Sequence, residues 1–177
     1  MPEFELNIGL INPKSPTNVG AVMRAAGCYK ANTVYYTGKR YENAAKFNTD
    51  TKNVKNKIPL IGVDDITEGL SSNTKIICVD LVEGSTPLPY FEHPKNALYV
   101  FGPEDGTIPQ SIINRADAVV YIPTVGCMNL AATVNVLMYD RAVKFEHFDY
   151  GDELIKTSRD KNNRTKLTQT TNKNIAL

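Results

Sequence analysis

Short apolar runs alternate with helical segments along most of this chain, and this alternation limits the possible folds more than any other feature of the sequence. Six runs have the length and composition of buried strands, at residues 6–11, 33–36, 59–63, 75–81, 97–101 and 118–122. Helices are predicted near residues 18–29, 64–70, 109–115 and 129–148, with a short helix and a loop within 41–57. The alternation predicts an α/β fold with a mainly parallel sheet flanked by helices.

One folded domain accounts for most of the chain. The length of 177 residues is sufficient for a substantial core, and we place this domain at residues 1–150. Residues 151–177 are rich in Lys, Asn and Thr, and we expect them to form a flexible tail. From Leu154 onward the tail has six basic residues and one acid, Asp160. This excess indicates an anionic partner only weakly, because a solvated end explains it equally well.

The cysteines, histidines and hydropathy exclude several classes of protein. Cys28, Cys78 and Cys127 form no CxxC pair, which is typical of free thiols in a reducing compartment. His93 and His147 accompany no cysteine cluster, so we expect no protein-bound metal. The first residues lack the pattern of a secretory signal, and no apolar run is long enough to span a membrane. We therefore expect a soluble, cytoplasmic protein.

The first candidate site lies in the stretch NPKSPTNVGAVMRAAGCY. Asn18, or the residue before it, is a favourable N-cap for the helix that follows. Gly20 and Gly27 share a helix face with Arg24, so few side-chain atoms surround the guanidinium. Such a surface near a helix start suits an anionic ligand. Close helix packing through small residues, with Arg24 simply at the surface, explains the pattern at least as well.

The second candidate site is the stretch LYVFGPEDGTIP, in which a buried strand runs directly into a loop. Gly102 and Gly106 allow a ligand to approach the main chain, and Glu104 and Asp105 accept hydrogen bonds from hydroxyl or amine groups. Ligands of α/β proteins bind at the carboxyl ends of strands. A tight turn with two surface acids is the simpler alternative. The chain has neither GxxxxGK[ST] nor GxGxxG, the usual phosphate-binding loops.

The third candidate site is the stretch YIPTVGCMNLAATVNVLMYDR. A strand ends at Ile122, a glycine-bearing loop follows, and Asn129 stands where a helix begins. Apolar residues recur in and beyond this stretch at helical spacing, at Leu130, Val134, Leu137, Met138 and Phe145. Core packing explains this apolar face, and an ordinary N-cap explains Asn129.

Together, the three motifs resemble the SpoU/TrmH-type RNA 2′-O-ribose methyltransferases of the SPOUT superfamily, and most closely the minimal single-domain tRNA-modifying members. They read N-x-G-x-x-x-R-x-A from Asn18, F-G-P-E-x-G from Phe101, and I-P-x-x-G-x-M-N-L from Ile122. The likeness covers roughly residues 4–148. It implies an α/β domain with a deep C-terminal trefoil knot, an exception to the rule that chains avoid knots.

The resemblance also implies the reaction and its partners. S-adenosylmethionine would donate a methyl group to a ribose 2′-hydroxyl of RNA, tRNA in preference to rRNA, and S-adenosylhomocysteine would be the product. The chain would form a homodimer in which the final helix packs against its mate. A non-catalytic knotted RNA-binding relative is one alternative, and a doubly wound nucleotide or flavin protein is another.

Individual residues receive roles from the same resemblance. The catalytic residues would be Arg24, Asn18, Glu104 and Asn129. The cofactor would be bound by Val79, Gly102, Gly106, Ile122, Cys127, Met128 and Asn129. RNA phosphates would contact Lys14, Lys39, Arg40 and Lys46. Many members have Ser where Cys127 stands, and a Ser or similar polar residue where Ala131 stands, so hydroxyl groups found there in relatives are missing here.

The catalytic arginine of this family is often described as a base, but a guanidinium stays protonated at any ordinary pH. We therefore assign Arg24 to fixing an RNA phosphate and stabilising the developing alkoxide. A phosphate oxygen, a carboxylate or water would take the proton.

Overall fold

The computed structural model describes residues 4–45, 58–145 and 150–167. In these ranges the strands are β1 (Leu6–Leu10), β2 (Thr33–Tyr36), β3 (Leu60–Gly62), β4 (Lys75–Val79), β5 (Thr86–Pro87), β6 (Ala97–Phe101) and β7 (Ala118–Tyr121). The helices are α1 (Pro16–Cys28), α2 (Arg40–Ala45), α3 (Gln110–Ile113), α4 (Leu130–Lys144) and α5 (Asp152–Ser158), with a 3₁₀ turn at Leu88–Tyr90. The chain divides into two compact units, residues 1–146 and 147–177, and the sheet lies in the first.

A seven-stranded sheet organises the first unit, in the order β3-β2-β1-β6-β4-β7-β5, and every pairing is parallel. This confirms the predicted α/β fold with a parallel sheet flanked by helices. All carboxyl ends therefore lie at one edge. In the register, Phe101 at the end of β6 stands beside Leu10 of β1 and beside Val79 of β4. The loops after these strands consequently start next to one another.

Both faces of the sheet are covered, and this explains the short, continuous apolar strands. On one face Ile8 and Tyr99 pack with residues of α1 and α4, including Val22 and Met138. On the other face Leu98 and Val100 belong to a cluster with Ile66 and Ile108. Strands β1 and β6, at the centre, are buried along their whole length.

The helix predicted over residues 64–70 is wrong, because the chain makes turns there. The Asp65 carboxylate accepts the backbone N–H of Thr67 at 2.9 Å, a local bond that competes with helix formation. Gly69 then takes a left-handed conformation, with φ of 76°. Arg115 pairs with Asp65 at 2.9 Å and holds the pKa of this carboxyl well below its usual range. An ion pair and an Asx turn replace the expected helix.

The second unit contains helix α5, which the sequence analysis did not predict. Asp152 and Glu153 occupy its first turn, where negative charge favours a helix, and Lys156 pairs with Glu153. The flexibility of the tail stays a prediction. No helix among the described residues is both long and apolar enough to cross a membrane.

Candidate active site

A cleft of about 150 Å³ opens at the carboxyl edge of the sheet, between the loops that follow β4, β6 and β7. The three loops meet there because their parallel strands are neighbours in the sheet. The cleft is lined by Val79, Asp80, Leu81, Phe101, Gly102, Pro103, Glu104, Gly106, Ile122, Thr124, Cys127, Met128, Leu130 and Thr133.

Six of the seven residues predicted to bind a cofactor line this cleft. The seventh, Asn129, lies at the start of α4. Its Oδ1 accepts the N–H groups of Ala131 at 2.9 Å and Ala132 at 3.3 Å, so it caps the helix. Its Nδ2 donates to Oδ1 of Asn18 at 3.1 Å. Asn129 therefore caps the start of α4 and also links α4 to α1.

The glycine loop after β6 is folded tightly against itself. A Cβ atom on Gly102 would lie 3.1 Å from the backbone nitrogen of Ile108, and one on Gly106 would lie 3.2 Å from Cγ of Pro103. These distances are shorter than ordinary van der Waals contacts. The close approach of the loop to its own main chain thus favours glycine at Gly102, independently of any ligand.

Glu104 connects this loop to the start of α1. Its carboxylate accepts the backbone N–H of Lys14 at 2.8 Å and of Ser15 at 3.0 Å, and Nδ2 of Asn18 at 2.9 Å. Partial burial acts to raise the pKa of Glu104, but these hydrogen bonds outweigh it and the pKa lies below its ordinary value. Glu104, Asn18 and Asn129 therefore form one continuous hydrogen-bonded chain beside the cleft.

Asn18 is free to join that chain because it is not the helix cap. The prediction that it caps α1 is wrong: Ser15 occupies the cap position and its Oγ accepts the N–H of Asn18 at 3.3 Å. Pro16, with no N–H to satisfy, is the first helical residue. The helix thus begins two residues earlier than the predicted residue 18, and the side chain of Asn18 donates to Glu104 instead of capping the helix.

Arg24 is exposed on α1 and does not line the cleft. Within the part of the chain that the structure describes, it makes no hydrogen bond or ion pair. Gly20 and Gly27 are exposed too, with open space where a Cβ would stand. The guanidinium is therefore available to an external anion, whereas Asn18, Glu104 and Asn129 are engaged with one another.

The predicted RNA-binding residues have different surroundings. Arg40 makes a bidentate pair with Asp105 at 2.9–3.0 Å, and Lys14 lies 3.5 Å from the same carboxylate. Arg40 lowers the pKa of Asp105 below its ordinary value. Lys39 is exposed, and Lys46 lies outside the described residues. An RNA phosphate would therefore compete with Asp105 for Lys14 and Arg40.

The sequence analysis missed Asp80, which lines the cleft directly after β4. Its Oδ2 accepts the hydroxyl of Thr107 at 2.5 Å and the N–H of Ile108 at 2.9 Å, and its Oδ1 accepts the N–H of Leu81 at 2.8 Å. The available signal was an acid at the end of an apolar run. It was missed because the strand was predicted to continue through residue 81.

The described residues were compared with the side-chain groups that bind metal ions in proteins. Across residues 4–45, 58–145 and 150–167, no group of three or more His, Cys, Asp or Glu side chains is placed to bind a metal ion.

Comparison with known families matches residues 5–139 to the SpoU rRNA Methylase family. These residues include all three motifs and the whole lining of the cleft. No curated protein matches the chain by sequence.

Solved structures share the fold. AviRb, a SpoU methyltransferase from Streptomyces viridochromogenes in complex with the cofactor AdoMet, is 18% identical with a TM-score of 0.69, covering 83% of this chain and 60% of its own. A structure addressing 2-OH methylation of C/U34 on tRNA is 19% identical with a TM-score of 0.69, covering 82% and 94%. The A. aeolicus TrmH/SpoU tRNA modifying enzyme is 18% identical with a TM-score of 0.63, covering 80% and 76%.

This chain spans less than two thirds of AviRb, and only 56% of an rRNA methyltransferase from Sinorhizobium meliloti. At identities below 20%, these likenesses establish the fold alone.

Proposed function

The chain belongs to the SpoU rRNA Methylase family, and from this premise we propose that it transfers the methyl group of S-adenosylmethionine to a ribose 2′-hydroxyl of RNA. The resemblance read from the motifs is thereby confirmed at the level of the family. The observation that carries the proposal is the hydrogen-bonded chain of Glu104, Asn18 and Asn129 at the border of the glycine-loop cleft. It favours an enzyme over a non-catalytic relative, because simple RNA binding has no need of such an arrangement.

The cleft has the features that an adenosyl group requires. Val79, Ile122 and Met128 offer an apolar wall for a base, and Gly102 and Gly106 bring the main chain of the loop to the lining of the cleft. Main-chain groups of this loop can therefore bind a nucleoside directly. When bound there, S-adenosylmethionine supplies a methyl group on a positively charged sulfur.

The chain's own residues would position the ribose and manage its charge. Arg24, exposed and unpaired among the described residues, would hold an RNA phosphate and stabilise the alkoxide that develops on the 2′-oxygen. Glu104 is a poor proton acceptor, since three donors hold its carboxylate in the ionised form. A phosphate oxygen or water is therefore the better acceptor. Alignment of the reacting atoms supplies the main rate enhancement, up to roughly 10 kcal/mol in favourable cases.

We propose tRNA as the substrate in preference to rRNA. The support is the structure concerned with methylation of C/U34 on tRNA, of which this chain covers 94%, whereas it covers much less of AviRb. An rRNA substrate is the second candidate, favoured by the name of the matching family.

Incubation of purified protein with isotopically labelled S-adenosylmethionine and either total tRNA or ribosomal RNA tests both candidates. Nucleoside mass spectrometry should detect a labelled 2′-O-methylnucleoside from tRNA and none from rRNA. If only the rRNA is labelled, the result would favour the second candidate, an rRNA substrate, over tRNA. Label on a base rather than on ribose, or no label on either RNA although the protein binds the donor, would contradict the proposed reaction.

We also propose that α4 forms part of a homodimer interface. Val136, Tyr139 and Val143 are 38%, 59% and 45% exposed and recur at helical spacing on one face of α4. On α1, which packs against α4, Gly20 and Ala21 are exposed and small enough for close approach by another helix. An apolar stripe of this kind is typical of a protein interface.

The double substitution V136E/V143E should therefore convert a dimer into a monomer, with a dissociation constant raised at least about 100-fold, because two charges would be buried without partners. Sedimentation equilibrium measures this directly. Y90E, at a tyrosine that is 82% exposed in the 3₁₀ turn, is the control and should remain dimeric. A wild-type chain that sediments as a monomer would contradict the interface.

We further propose that the C-terminal part of the folded unit is threaded as a trefoil knot, as the family resemblance implies. The meeting of the loops after β4, β6 and β7 at one cleft supports the proposal. Stretching the denatured chain with optical tweezers should give a contour length shorter than its residues would span, because a tightened knot retains part of the chain. A full contour length would refute the knot.

A further inference from the structure

The cleft has a strongly uneven charge. Its lining includes two acids, Asp80 and Glu104, and no Lys, Arg or His. Lys14 and Arg40 pair with Asp105, a residue that does not line the cleft. Glu104 is occupied by donors from α1 and the loop before it. Asp80, like Glu104, therefore contributes its negative charge to a cleft whose described lining includes no countercharge.

Asp80 is also fixed in position. Its two oxygens accept three hydrogen bonds, from the side chain of Thr107 and from the main chain at Leu81 and Ile108. These partners belong to the loops after β4 and β6, so Asp80 ties the two loops together. A carboxylate that is half-buried and held from several directions keeps its charge at one place relative to a ligand.

We infer that Asp80 makes the cleft selective for the charge of the donor, so that the sulfonium of S-adenosylmethionine binds in preference to the neutral thioether of S-adenosylhomocysteine. The inference rests on the proposed function and names a specificity residue within that site. The two ligands differ only by the methyl group and its positive charge. A nearby negative charge therefore stabilises the donor selectively and favours release of the product once the charge is gone.

Calorimetric titration of D80N with each ligand tests this inference. The amide has the size of the carboxylate but carries no charge; its oxygen can keep the two bonds from Thr107 and Ile108, whereas its NH2 group cannot accept the N–H of Leu81. We expect the preference for S-adenosylmethionine over S-adenosylhomocysteine to fall roughly fivefold or more, because an attraction between charges is lost for only one ligand. D80S, a second neutral variant, should show the same loss of preference, and it replaces D80N if that variant does not fold.

Two matched variants separate charge from loop structure. T107V removes the hydroxyl that donates to Asp80 and leaves the charge, so it should weaken both ligands by the same factor and leave the preference unchanged. E83Q removes an exposed acid that does not line the cleft, and it should behave as the wild type.

The inference is overturned if folded D80N or D80S retains the full preference, or if T107V or E83Q loses as much of it as D80N. In those cases the wild type still binds the donor and the proposed function stands. A wild-type chain that binds neither ligand would overturn both.

Discussion

Replacing Arg24 with alanine should slow methyl transfer on the order of 10²- to 10³-fold, the usual effect of removing one donor that stabilises developing charge. The affinity for S-adenosylmethionine should change less than about threefold. The separation is expected because Arg24 is exposed, lies outside the cleft lining and makes no hydrogen bond to the described residues that form it. Single-turnover transfer of a labelled methyl group measures the rate, and calorimetry measures donor affinity.

Two further variants show whether the guanidinium itself matters. R24K retains a positive charge without the bidentate geometry, and we expect it to recover only a small part of the rate. K30G removes a positive charge just beyond the end of α1, at a position whose φ of 57° glycine adopts readily, and should leave the rate unchanged. Full activity of R24A would exclude a catalytic role, and loss of donor binding in R24A would place Arg24 in the cofactor site instead.

Lowering the pH from 7.5 to 5 should reduce the free energy of unfolding by about 2 kcal/mol through His93 alone. The side chain of His93 is 1% exposed, between the Tyr99 hydroxyl at 2.7 Å and the Asp140 carboxylate at 2.8 Å. Burial lowers its pKa to about 4, although Asp140 acts in the opposite direction and Arg141 and Lys144 oppose the added charge. The unfolded chain takes up a proton near pH 6.5, whereas the folded chain does not.

Stability is therefore complete above pH 6.5 and falls as the pH decreases towards 4. Above pH 5 the carboxyl groups are ionised in both states, so they add little to this change. Urea unfolding at several pH values measures how the free energy of unfolding changes with pH. We expect this decrease towards low pH in the wild type and in H147Q, which replaces the chain's other histidine, and we expect it to be absent in H93Q. A slope that persists in H93Q would contradict the assignment. The physical cause is a buried neutral imidazole joining α4 to the segment before β6.

Six of the seven strands and the fold class follow from the sequence, whereas β5, only two residues long, was not predicted. Strands β2 and β6 have the predicted bounds, because a strand buried on both faces reads as a short continuous apolar run. The three loop motifs follow strands of this sheet, and the family resemblance that they carry assigned six cofactor residues that line one cleft, five of them within the motifs. These signals are local, because the composition of each segment indicates whether that segment is buried.

Other features depended on contacts between residues far apart in the chain. Glu104 accepts the backbone N–H of Ser15, and the cap of α1 differs from the prediction. Asp65 pairs with Arg115, and residues 64–70 form turns instead of the predicted helix. Lys14 and Arg40, which are predicted to contact phosphates, pair with Asp105, and the sequence alone did not indicate this.

The sequence by itself therefore determined six of the seven strands, the buried face of α4 and the positions of the loops after β6 and β7. The tertiary structure alone decided the strand order, the true cap of α1, the partners of Glu104 and the place of Asp80 in the cleft. The reason is that hydrophobic periodicity is a property of one segment and can be read from its sequence. A polar acceptor, in contrast, binds whichever donor the fold brings within about 3 Å of it. That distance cannot be read from a single sequence.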